Sequence, residues 1–254
     1  MIDIHSHILP GLDDGAGDTD TALEMVRAYC ELGFKKVIAT PHIIEKSGYR
    51  ITHQLIKEKL DALNLEIKKN NLELTILSGG EYYLDQPFIK LAERYWPLTK
   101  LNDSCYLMIE LPGLFLPDYL KFSILEPKTK NLELKKALPG LRVIIAHPER
   151  NEAVAKNPLA TIQKLREQGY FIQLNLGSLV GFYGNGAKKA GELLVKNKLV
   201  DLVASDAHSP SQLKEIVLPA LKVIEKLVGK EFLELMVKIN PEKVLKGEYL
   251  EAID

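Results

Sequence analysis

The feature that most constrains this chain is a regular alternation of short β-like runs with helical segments. Seven apolar runs are predicted as strands, at residues 2–5, 35–39, 73–78, 105–110, 142–146, 170–174 and 200–204. Helical patterns separate these runs, and no change of composition marks a second unit. Such an alternation predicts an α/β fold with a parallel, barrel-like sheet inside and helices outside.

Turn and capping residues set the limits of the predicted helices. Asp18 and Thr19 begin the first helix, which ends at Glu31 before Gly33. The other predicted helices are 52–69, one after Gln86-Pro87, one within the region up to Leu138, 152–168, 187–197, 210–227 and two short helices from Lys230 on. The glycines at 177, 181, 184 and 186 predict a flexible stretch before the helix at 187.

Length and composition indicate one domain, residues 1–254. With 46% hydrophobic residues, a chain of this length can bury a substantial core. Its net charge of −1 gives no electrostatic indication of binding to nucleic acid or anionic membranes. Cys30 and Cys105 lie in apolar elements, which favours reduced thiols over a disulfide. No apolar run approaches the ~20 residues of a membrane span, and the first strand begins at once, without room for a signal peptide. We therefore expect a soluble, cytoplasmic protein.

Histidine, aspartate and glutamate residues follow most of the predicted strands. His5 and His7 alternate along the first strand, so both side chains can contact one ion. The full set of candidate metal ligands is His5, His7, Asp14, His42, Glu81, Glu110, His147, Asp206 and His208. Because the carboxyl ends of parallel barrel strands form the active-site face, these residues are predicted to meet there. The sixth histidine, His53, is predicted to be a solvated residue in the first turn of a helix.

The chemistry of these side chains points to several metal ions. Imidazole nitrogens and carboxylates together favour zinc, manganese or iron over magnesium or calcium. Nine candidate ligands are too many for one ion and indicate two or three divalent metal ions. Glu81 or Asp206 could bridge neighbouring ions at roughly 3.5–4 Å, and a bridging water would then be acidified toward a hydroxide nucleophile.

Two arginines are candidates for binding a phosphate ester substrate. Arg150 lies three residues after His147, and a guanidinium binds phosphate oxygens through two parallel hydrogen bonds. Arg50, in the loop after His42, is a second candidate. We expect catalysis to depend most on Arg150, Asp206 and His42.

The candidate residues also have structural alternatives. A lone histidine at a strand end is more often a hydrogen-bonded structural residue, and a carboxylate near a loop often caps a helix. Asp13 competes with Asp14 for the role of ligand. Arg150 could instead form a salt bridge with Glu149 or Glu152.

Other phosphatase and nucleotide-binding motifs are absent from the sequence. A cysteine-dependent phosphatase loop needs an arginine six positions after the cysteine, where this chain has Lys36 and Leu111. The segment Asp18-Thr19-Asp20-Thr21 follows a glycine-rich loop and not a strand, so it does not qualify as an aspartyl-phosphate nucleophile. There is neither a Gly-Lys-Ser/Thr phosphate loop nor a dinucleotide fingerprint.

The chain resembles the PHP (polymerase and histidinol phosphatase) family, and within it the bacterial CpsB/CapC/YwqE group of metal-dependent protein-tyrosine phosphatases. The resemblance rests on residues 3–16, 39–42, 80–81, 147–150 and 204–208, with the sequences DIHSHILPGLDDGA, ATPH, GE, HPER and ASDAH. These segments follow one another in order along almost the whole chain. The Asp-Asp-Gly loop and His-Pro-Glu-Arg are the most specific of them.

The resemblance implies a distorted (βα)7 TIM-like barrel with a trinuclear metal site at the carboxyl ends of the strands. It implies one ion held by His5, His7, Glu81 and Asp206, a second by Glu81, Glu110 and His147, and a third by Asp14, His42 and His208. Arg150 matches the family's phosphate-binding residue. Other members of the wider PHP family often have histidine at the positions of Asp14 and Glu110. The acidic residues of this chain imply a preference for harder metal ions such as manganese or iron.

The implied substrate is a phosphotyrosyl protein, the tail of a bacterial tyrosine kinase of capsule or exopolysaccharide synthesis. Aromatic loop residues could flank its phenyl ring: Tyr49, Tyr82, Tyr83, Phe115, Tyr119, Phe182 and Tyr183. Two alternatives stay open, a small-molecule phosphatase of the histidinol-phosphatase type and a non-catalytic, metal-stabilised binding module. Nuclease activity is not expected, because no basic track accompanies the site.

Overall fold

The structure is a computed structural model and describes residues 1–44, 51–85, 88, 98–117 and 140–251. Predicted features outside these residues are Arg50, Tyr49, Tyr119, the helix after Gln86-Pro87 and the helix before Leu138. The described strands are β1 (Ile2–Ser6), β2 (Lys36–Ala39), β3 (His42–Ile43), β4 (Thr75–Ser78), β5 (Glu81–Tyr83), β6 (Tyr106–Glu110), β7 (Arg142–Ala146), β8 (Phe171–Asn175) and β9 (Leu202–Ala204). All seven runs predicted as strands are present.

The strands form two parallel sheets, and two strands of the first sheet run on into strands of the second. One sheet has the order β1-β2-β4 and the other the order β3-β5-β6-β7-β8-β9. Two residues separate β2 from β3, and two separate β4 from β5, so each pair is one interrupted strand. Hydrogen bonds bridge both interruptions, from Thr40 N to Ser6 O at 2.9 Å and from Glu81 N to Pro41 O at 3.1 Å.

The ring of strands closes between β1 and the segment after β9. Asp206 N donates to His5 O at 3.0 Å, and His7 N donates to Ala207 O at 3.0 Å. Seven strands, two of them interrupted, therefore form the ring, which confirms the predicted parallel α/β barrel. The pairing of β1 with β2 is irregular between residues 3 and 6, a stretch that includes His5 and ends directly before His7.

Alternate residues of each strand point to opposite faces of the sheet. Met108 of β6 lies in register with Ile144 of β7, and both belong to a small cluster inside the ring with residues of β1, β2 and β9. Leu107 and Val143, one position earlier, pack in the larger core shared with the helices. Since side chains fill the interior, a site has to form at an end of the ring.

The helices begin at residues that the sequence marks as caps. Asp18 accepts a hydrogen bond from Thr21 N, which confirms Asp18 as the cap of the first helix. Thr52, where the second helix is predicted to begin, accepts a hydrogen bond from Leu55 N and is the N-cap of that helix. The described helices are α1 (Thr19–Glu31), α2 (His53–Lys69), α3 (Glu152–Lys156), α4 (Pro158–Glu167), α5 (Leu176–Leu179), α6 (Gly184–Lys196), α7 (Pro210–Glu234) and α8 (Asn240–Lys246). Within the described ranges, no helix combines the length and the apolar character needed to cross a membrane.

Two helix predictions are wrong in detail. The helix predicted at 152–168 is split into α3 and α4, because Pro158 has no N–H to donate and disfavours a helical conformation at the residue before it. Asn157 accordingly has a φ of −146°. The glycine-rich segment after β8 is also more ordered than predicted, since it contains α5 and since α6 already begins at Gly184.

The loop between β1 and α1 folds back against the end of β1. Ala16 N donates to His7 O at 3.0 Å, and Gly11 N donates to Ala16 O at 2.8 Å. Gly15 fits only without a side chain, because a Cβ there would lie 1.9 Å from His7 O. Gly17 is exposed, and a Cβ there would have no neighbour within 4 Å.

Gly15→Ala is expected to lower the free energy of unfolding by about 1–3 kcal/mol, the usual effect of an extra methyl group in packed structure. Gly17→Ala is the matched control and should change that free energy by less than about 0.5 kcal/mol. Denaturant unfolding of both variants measures the difference. Equal stability of the two variants would contradict the close packing of this loop.

Candidate metal centre

Polar side chains from successive strands meet at the carboxyl end of the ring, around a cavity of about 340 Å³. The lining residues are Asp13, Asp14, His42, Ile44, Tyr83, Glu110, His147, Arg150, Asp206 and His208. His5, His7 and Glu81 lie deeper and are fully buried. The structure therefore brings all nine candidate ligands together on the predicted face, whereas Arg50 lies outside the described residues.

Four side-chain atoms converge at the deepest part of the centre. His5 Nε2 lies 3.3 Å from each of three atoms, His7 Nε2, Glu81 Oε2 and Asp206 Oδ1. His7 Nε2 lies 3.6 Å from Glu81 Oε2 and 3.2 Å from Asp206 Oδ1. Tetrahedral ligands that are each about 2.1 Å from one ion are ~3.4 Å apart. The separations of the two imidazole nitrogens from each other and from both carboxylate oxygens therefore suit ligands of a bound ion.

Glu81 connects this group to a second set of side chains. Its Oε1 lies 3.0 Å from His147 Nε2, and its Oε2 lies 3.0 Å from His42 Nδ1. Ligand atoms of His42, Glu81 and Glu110 lie within 4.8 Å of one another. A carboxylate with imidazoles facing both of its oxygens is well placed to bridge two cations.

A third set of side chains lies nearer the mouth of the cavity. Asp14 Oδ1 is 3.3 Å from His208 Nε2 and 3.5 Å from His42 Nε2. The Asp14 side chain is 67% exposed, whereas the Asp13 side chain is 3% exposed. Of the two neighbouring aspartates, Asp14 is thus the one that faces this pair of histidines.

Two buried atoms of the centre have no hydrogen-bond partner among the described residues. Glu81 Oε2 and His42 Nδ1 lie 3.0 Å apart, but their geometry is not that of a hydrogen bond. A buried polar atom without a partner is destabilising, and bound cations would supply the missing partners. The donor set therefore fits divalent ions that accept nitrogen and oxygen ligands, such as zinc, manganese or iron.

Carboxylates and imidazoles shift one another's protonation in this centre. Burial alone would raise the pKa of Glu81, but the imidazole of His5 and a hydrogen bond from His147 hold that pKa well below its ordinary value. Burial likewise opposes a charge on His5, yet Glu81 and Asp206 raise the pKa of His5 to about 9. Burial and the charge of Glu81 together raise the pKa of Glu110. The carboxylates that raise the pKa values of His5 and Glu110 are negative charges that also favour bound cations.

Hydrogen bonds at the far nitrogens orient the two deepest imidazoles. His7 Nδ1 lies 2.7 Å from Asp13 Oδ2, and His5 Nδ1 lies 2.9 Å from Gln173 Oε1. Each bond leaves Nε2 directed at the centre, as in metal-binding histidines generally. Asp13 also accepts a hydrogen bond from His42 N at 3.0 Å, so one carboxylate connects the end of β1 with the start of β3.

A buried network supports the turn that carries Asp206. Asp206 has a φ of +51°, a left-handed conformation that is uncommon outside glycine. Asp3 accepts hydrogen bonds from Ser205 N at 3.2 Å and from Tyr29 OH at 3.0 Å. Ala207 N donates to Ser205 Oγ at 3.1 Å. The residues on both sides of Asp206 are therefore fixed.

Arg150 faces the same centre from the segment after β7. Its Nη1 donates to Asp206 Oδ2 at 2.8 Å, and its guanidinium carbon lies 4.2 Å from the centre of the Tyr183 ring. The side chain is 33% exposed and lines the cavity. The alternative salt bridge to Glu149 or Glu152 is not formed: among the described residues Arg150 pairs with Asp206, and Glu149 is buried and accepts a hydrogen bond from Ser178 Oγ at 2.6 Å.

Some residues that support Asp206 carry no recognisable sequence signal. Asn175 Nδ2 donates to Asp206 Oδ2 at 2.7 Å, and Gln212 Nε2 donates to the backbone oxygen of Asp206 at 3.2 Å. Single amides at a strand end or in a first helical turn are common, so no motif marks them. His53 lies exposed in the first turn of α2, as predicted.

The sequence matches the family model for capsular polysaccharide synthesis, CpsB/CapC, over residues 1–246. Among its relatives is the tyrosine-protein phosphatase YwqE of Bacillus subtilis (strain 168). YwqE is 38% identical over 250 residues, which cover 98% of this chain and 92% of YwqE. The tyrosine-protein phosphatase CpsB of Streptococcus pneumoniae is 27% identical over 257 residues, which cover 98% of this chain and 100% of CpsB.

Solved structures agree with these relationships. One of them is described as belonging to crystal structures of YwqE from Bacillus subtilis and CpsB from Streptococcus pneumoniae, unique metal-dependent tyrosine phosphatases. It matches with a TM-score of 0.85 and 34% sequence identity, and the match covers 100% of this chain and 97% of that chain. The histidinol phosphate phosphatase of Lactococcus lactis gives a TM-score of 0.53 at 12% identity, over 90% of this chain and 94% of that chain, and shares the fold. From the family match over residues 1–246 and the identity with YwqE along nearly its whole length, the chain belongs to the CpsB/CapC family.

Proposed function

We propose that this chain is a metal-dependent protein-tyrosine phosphatase, which removes phosphate from tyrosine residues of a partner protein. The observation that carries the proposal is the convergence of His5, His7, Glu81 and Asp206 on one point beside Arg150. Membership of the family supports the same activity, since YwqE and CpsB are both named tyrosine-protein phosphatases.

The proposed cofactors are two or three divalent metal ions. We assign one ion to His5, His7, Glu81 and Asp206, a second to Glu81, Glu110 and His147, and a third to Asp14, His42 and His208. Manganese is favoured over iron or zinc, because carboxylates make up much of the ligand set. His147 Nε2 lies 3.0 Å from Glu81 Oε1 and 3.9 Å from Asp206 Oδ2, so it is close to the first group as well.

Without bound cations, the centre would repel a phosphate ester. The carboxylates of Asp14, Glu110 and Asp206 line the cavity, that of Glu81 lies beneath it, and the substrate itself is an anion. Bound divalent ions would ionise a water molecule near neutral pH and neutralise the phosphoryl oxygens. Among the described residues that line the cavity, Arg150 is the side chain that carries a permanent positive charge.

Arg150 is the residue that we expect to bind the phosphate group. Its planar guanidinium can donate two parallel hydrogen bonds to phosphate oxygens. Asp206 holds this guanidinium through Oδ2, while Oδ1 faces the imidazoles of His5 and His7. One carboxylate therefore contributes to metal binding and to the orientation of the phosphate-binding group.

The rim of the cavity is suited to a phenyl ring. Tyr83 and Ile44 both line it, and such side chains pack well against an aromatic ring. The proposed partner is the tyrosine-rich tail of a bacterial tyrosine kinase of capsule or exopolysaccharide synthesis, in the cytoplasm. The family description, capsular polysaccharide synthesis, supports this choice of partner.

The proposed function is tested with a substrate panel and with metal removal. The protein loaded with Mn²⁺ is expected to hydrolyse a phosphotyrosyl peptide faster than histidinol phosphate. Chelation should abolish this activity, and Mn²⁺ should restore it, with two or three equivalents of metal bound by elemental analysis. Faster turnover of histidinol phosphate would favour a small-molecule phosphatase. Absence of activity with manganese, iron, zinc and cobalt in turn would favour a binding module.

Arg150→Ala is expected to lower kcat/KM for the phosphotyrosyl peptide about 10²–10³-fold, as loss of a group that stabilises developing charge generally does. Metal content should not change. Arg150→Lys should recover only part of the activity, because lysine keeps the charge but not the two-pronged geometry. Arg27→Ala, at an exposed position of α1, is the control. Full activity of Arg150→Ala would contradict the assignment.

Asp13→Asn is expected to weaken metal retention by about 10–100-fold, the usual effect of changing a hydrogen-bond partner of a metal-binding histidine. Asp13 now accepts hydrogen bonds from His7 Nδ1, His42 N and Gly15 N. In the asparagine variant an NH₂ group replaces one carboxylate oxygen, so it would face at least one of these donors and that hydrogen bond would be lost. Metal content after dialysis against graded chelator measures the effect. Asp61→Asn, on the exposed face of α2, should retain metal as the unmodified protein does. Equal retention by both variants would rule out this role of Asp13.

A further inference from the structure

The proposed phosphate-binding arginine lies against the face of an aromatic ring. The Arg150 guanidinium carbon is 4.2 Å from the centre of the Tyr183 ring, a distance typical of a cation–π contact. Tyr183 is the residue directly before α6. One face of the guanidinium is therefore covered by the ring.

The hydroxyl group of Tyr183 is held by three polar neighbours. Asn175 Nδ2 and Gln212 Nε2 donate to it at 3.3 Å and 3.2 Å. The hydroxyl in turn donates to Asp206 Oδ2 at 3.4 Å, the same oxygen that accepts from Arg150 Nη1. Ring, hydroxyl, carboxylate and guanidinium thus form one closed set of contacts.

The glycines of this segment allow the ring to occupy its position. A Cβ at Gly177 would lie 2.8 Å from Tyr183 Cε2, so the ring packs directly against the backbone of α5. Gly181 and Gly184 have φ values of +84° and +87°, which place the turn around Tyr183 in a conformation that favours glycine. The glycine-rich segment therefore builds a fixed platform.

We propose that Tyr183 is a positioning residue for Arg150, which holds the guanidinium plane in the orientation that receives phosphate. This inference rests on the proposed function and adds a residue to it. A free arginine samples many rotamers, and a fixed one loses less freedom when it binds an oxyanion. Asp206 is also an assigned metal ligand, whereas the ring supports Arg150 without competing for ions.

The experiment measures KM and kcat for a phosphotyrosyl peptide, and inhibition by inorganic phosphate, with Mn²⁺-loaded protein. Tyr183→Leu is expected to raise KM and the phosphate inhibition constant about 10-fold, a change that corresponds to the usual energy of a cation–π contact. The value of kcat should change by less than about 3-fold, and the metal content should not change. Tyr183→Phe keeps the ring and should change both constants less than Tyr183→Leu does. Gly177→Ala, whose methyl group displaces the ring, should resemble Tyr183→Leu.

A second tyrosine–arginine contact provides the matched control. Tyr249 lies over Arg142, with the guanidinium carbon 3.6 Å from the ring centre, at the amino end of β7 and away from the cavity. Tyr249→Leu should leave both constants unchanged. An effect as large as that of Tyr183→Leu would overturn the inference, because loss of stability alone would then explain it.

Double variants separate this inference from the proposed function. In an Arg150→Ala background, Tyr183→Leu should cause no further rise of the phosphate inhibition constant. A further 10-fold rise would show that Tyr183 acts independently of Arg150 and would refute the positioning role. If Arg150→Ala alone leaves that constant unchanged, phosphate binding by Arg150 fails, and this inference fails with it. If Arg150→Ala raises the constant but neither Tyr183→Leu nor Gly177→Ala does, only the inference fails.

Discussion

The whole centre depends on the closure of the ring between β1 and the segment after β9. Two backbone hydrogen bonds of 3.0 Å, Asp206 N to His5 O and His7 N to Ala207 O, join the first strand to the segment after the last one. Because these bonds are made by the backbone, they fix His5, His7 and Asp206 relative to one another before any ion binds. Ligands that are held by their scaffold in this way need little rearrangement to bind metal.

A buried carboxylate strengthens this closure from within the protein. Asp3 accepts hydrogen bonds from His5 N at 3.2 Å, Ser205 N at 3.2 Å and Tyr29 OH at 3.0 Å. Burial raises the pKa of Asp3, and a group of this kind stabilises a fold only when its hydrogen-bond partners are complete. Its partners come from β1, the end of β9 and α1. The position of Asp206 is therefore tied to the outer layer of helices.

The sequence predicts the face on which the site forms but not the contacts that orient its side chains. Strand ends share one face in a parallel barrel, so residues such as His5 and Glu110 could be assigned to it without knowledge of strand order. Asp14 is predicted as the ligand with Asp13 as its competitor, because both belong to one loop and only tertiary distances distinguish them. The role of Tyr183 is likewise a matter of packing across α5 and α6, which no local pattern encodes.

The two halves of the site meet opposite electrostatic requirements. The deep half, around Glu81, must attract cations, whereas the rim must attract an anion through Arg150. Asp206 lies between them, with Oδ1 toward the imidazoles and Oδ2 toward the guanidinium. A second carboxylate under Arg150 would hold it more tightly but would also repel the phosphate group. The ring of Tyr183 attracts the guanidinium through its quadrupole and carries no net charge, so it fixes Arg150 while leaving the positive charge available to the substrate.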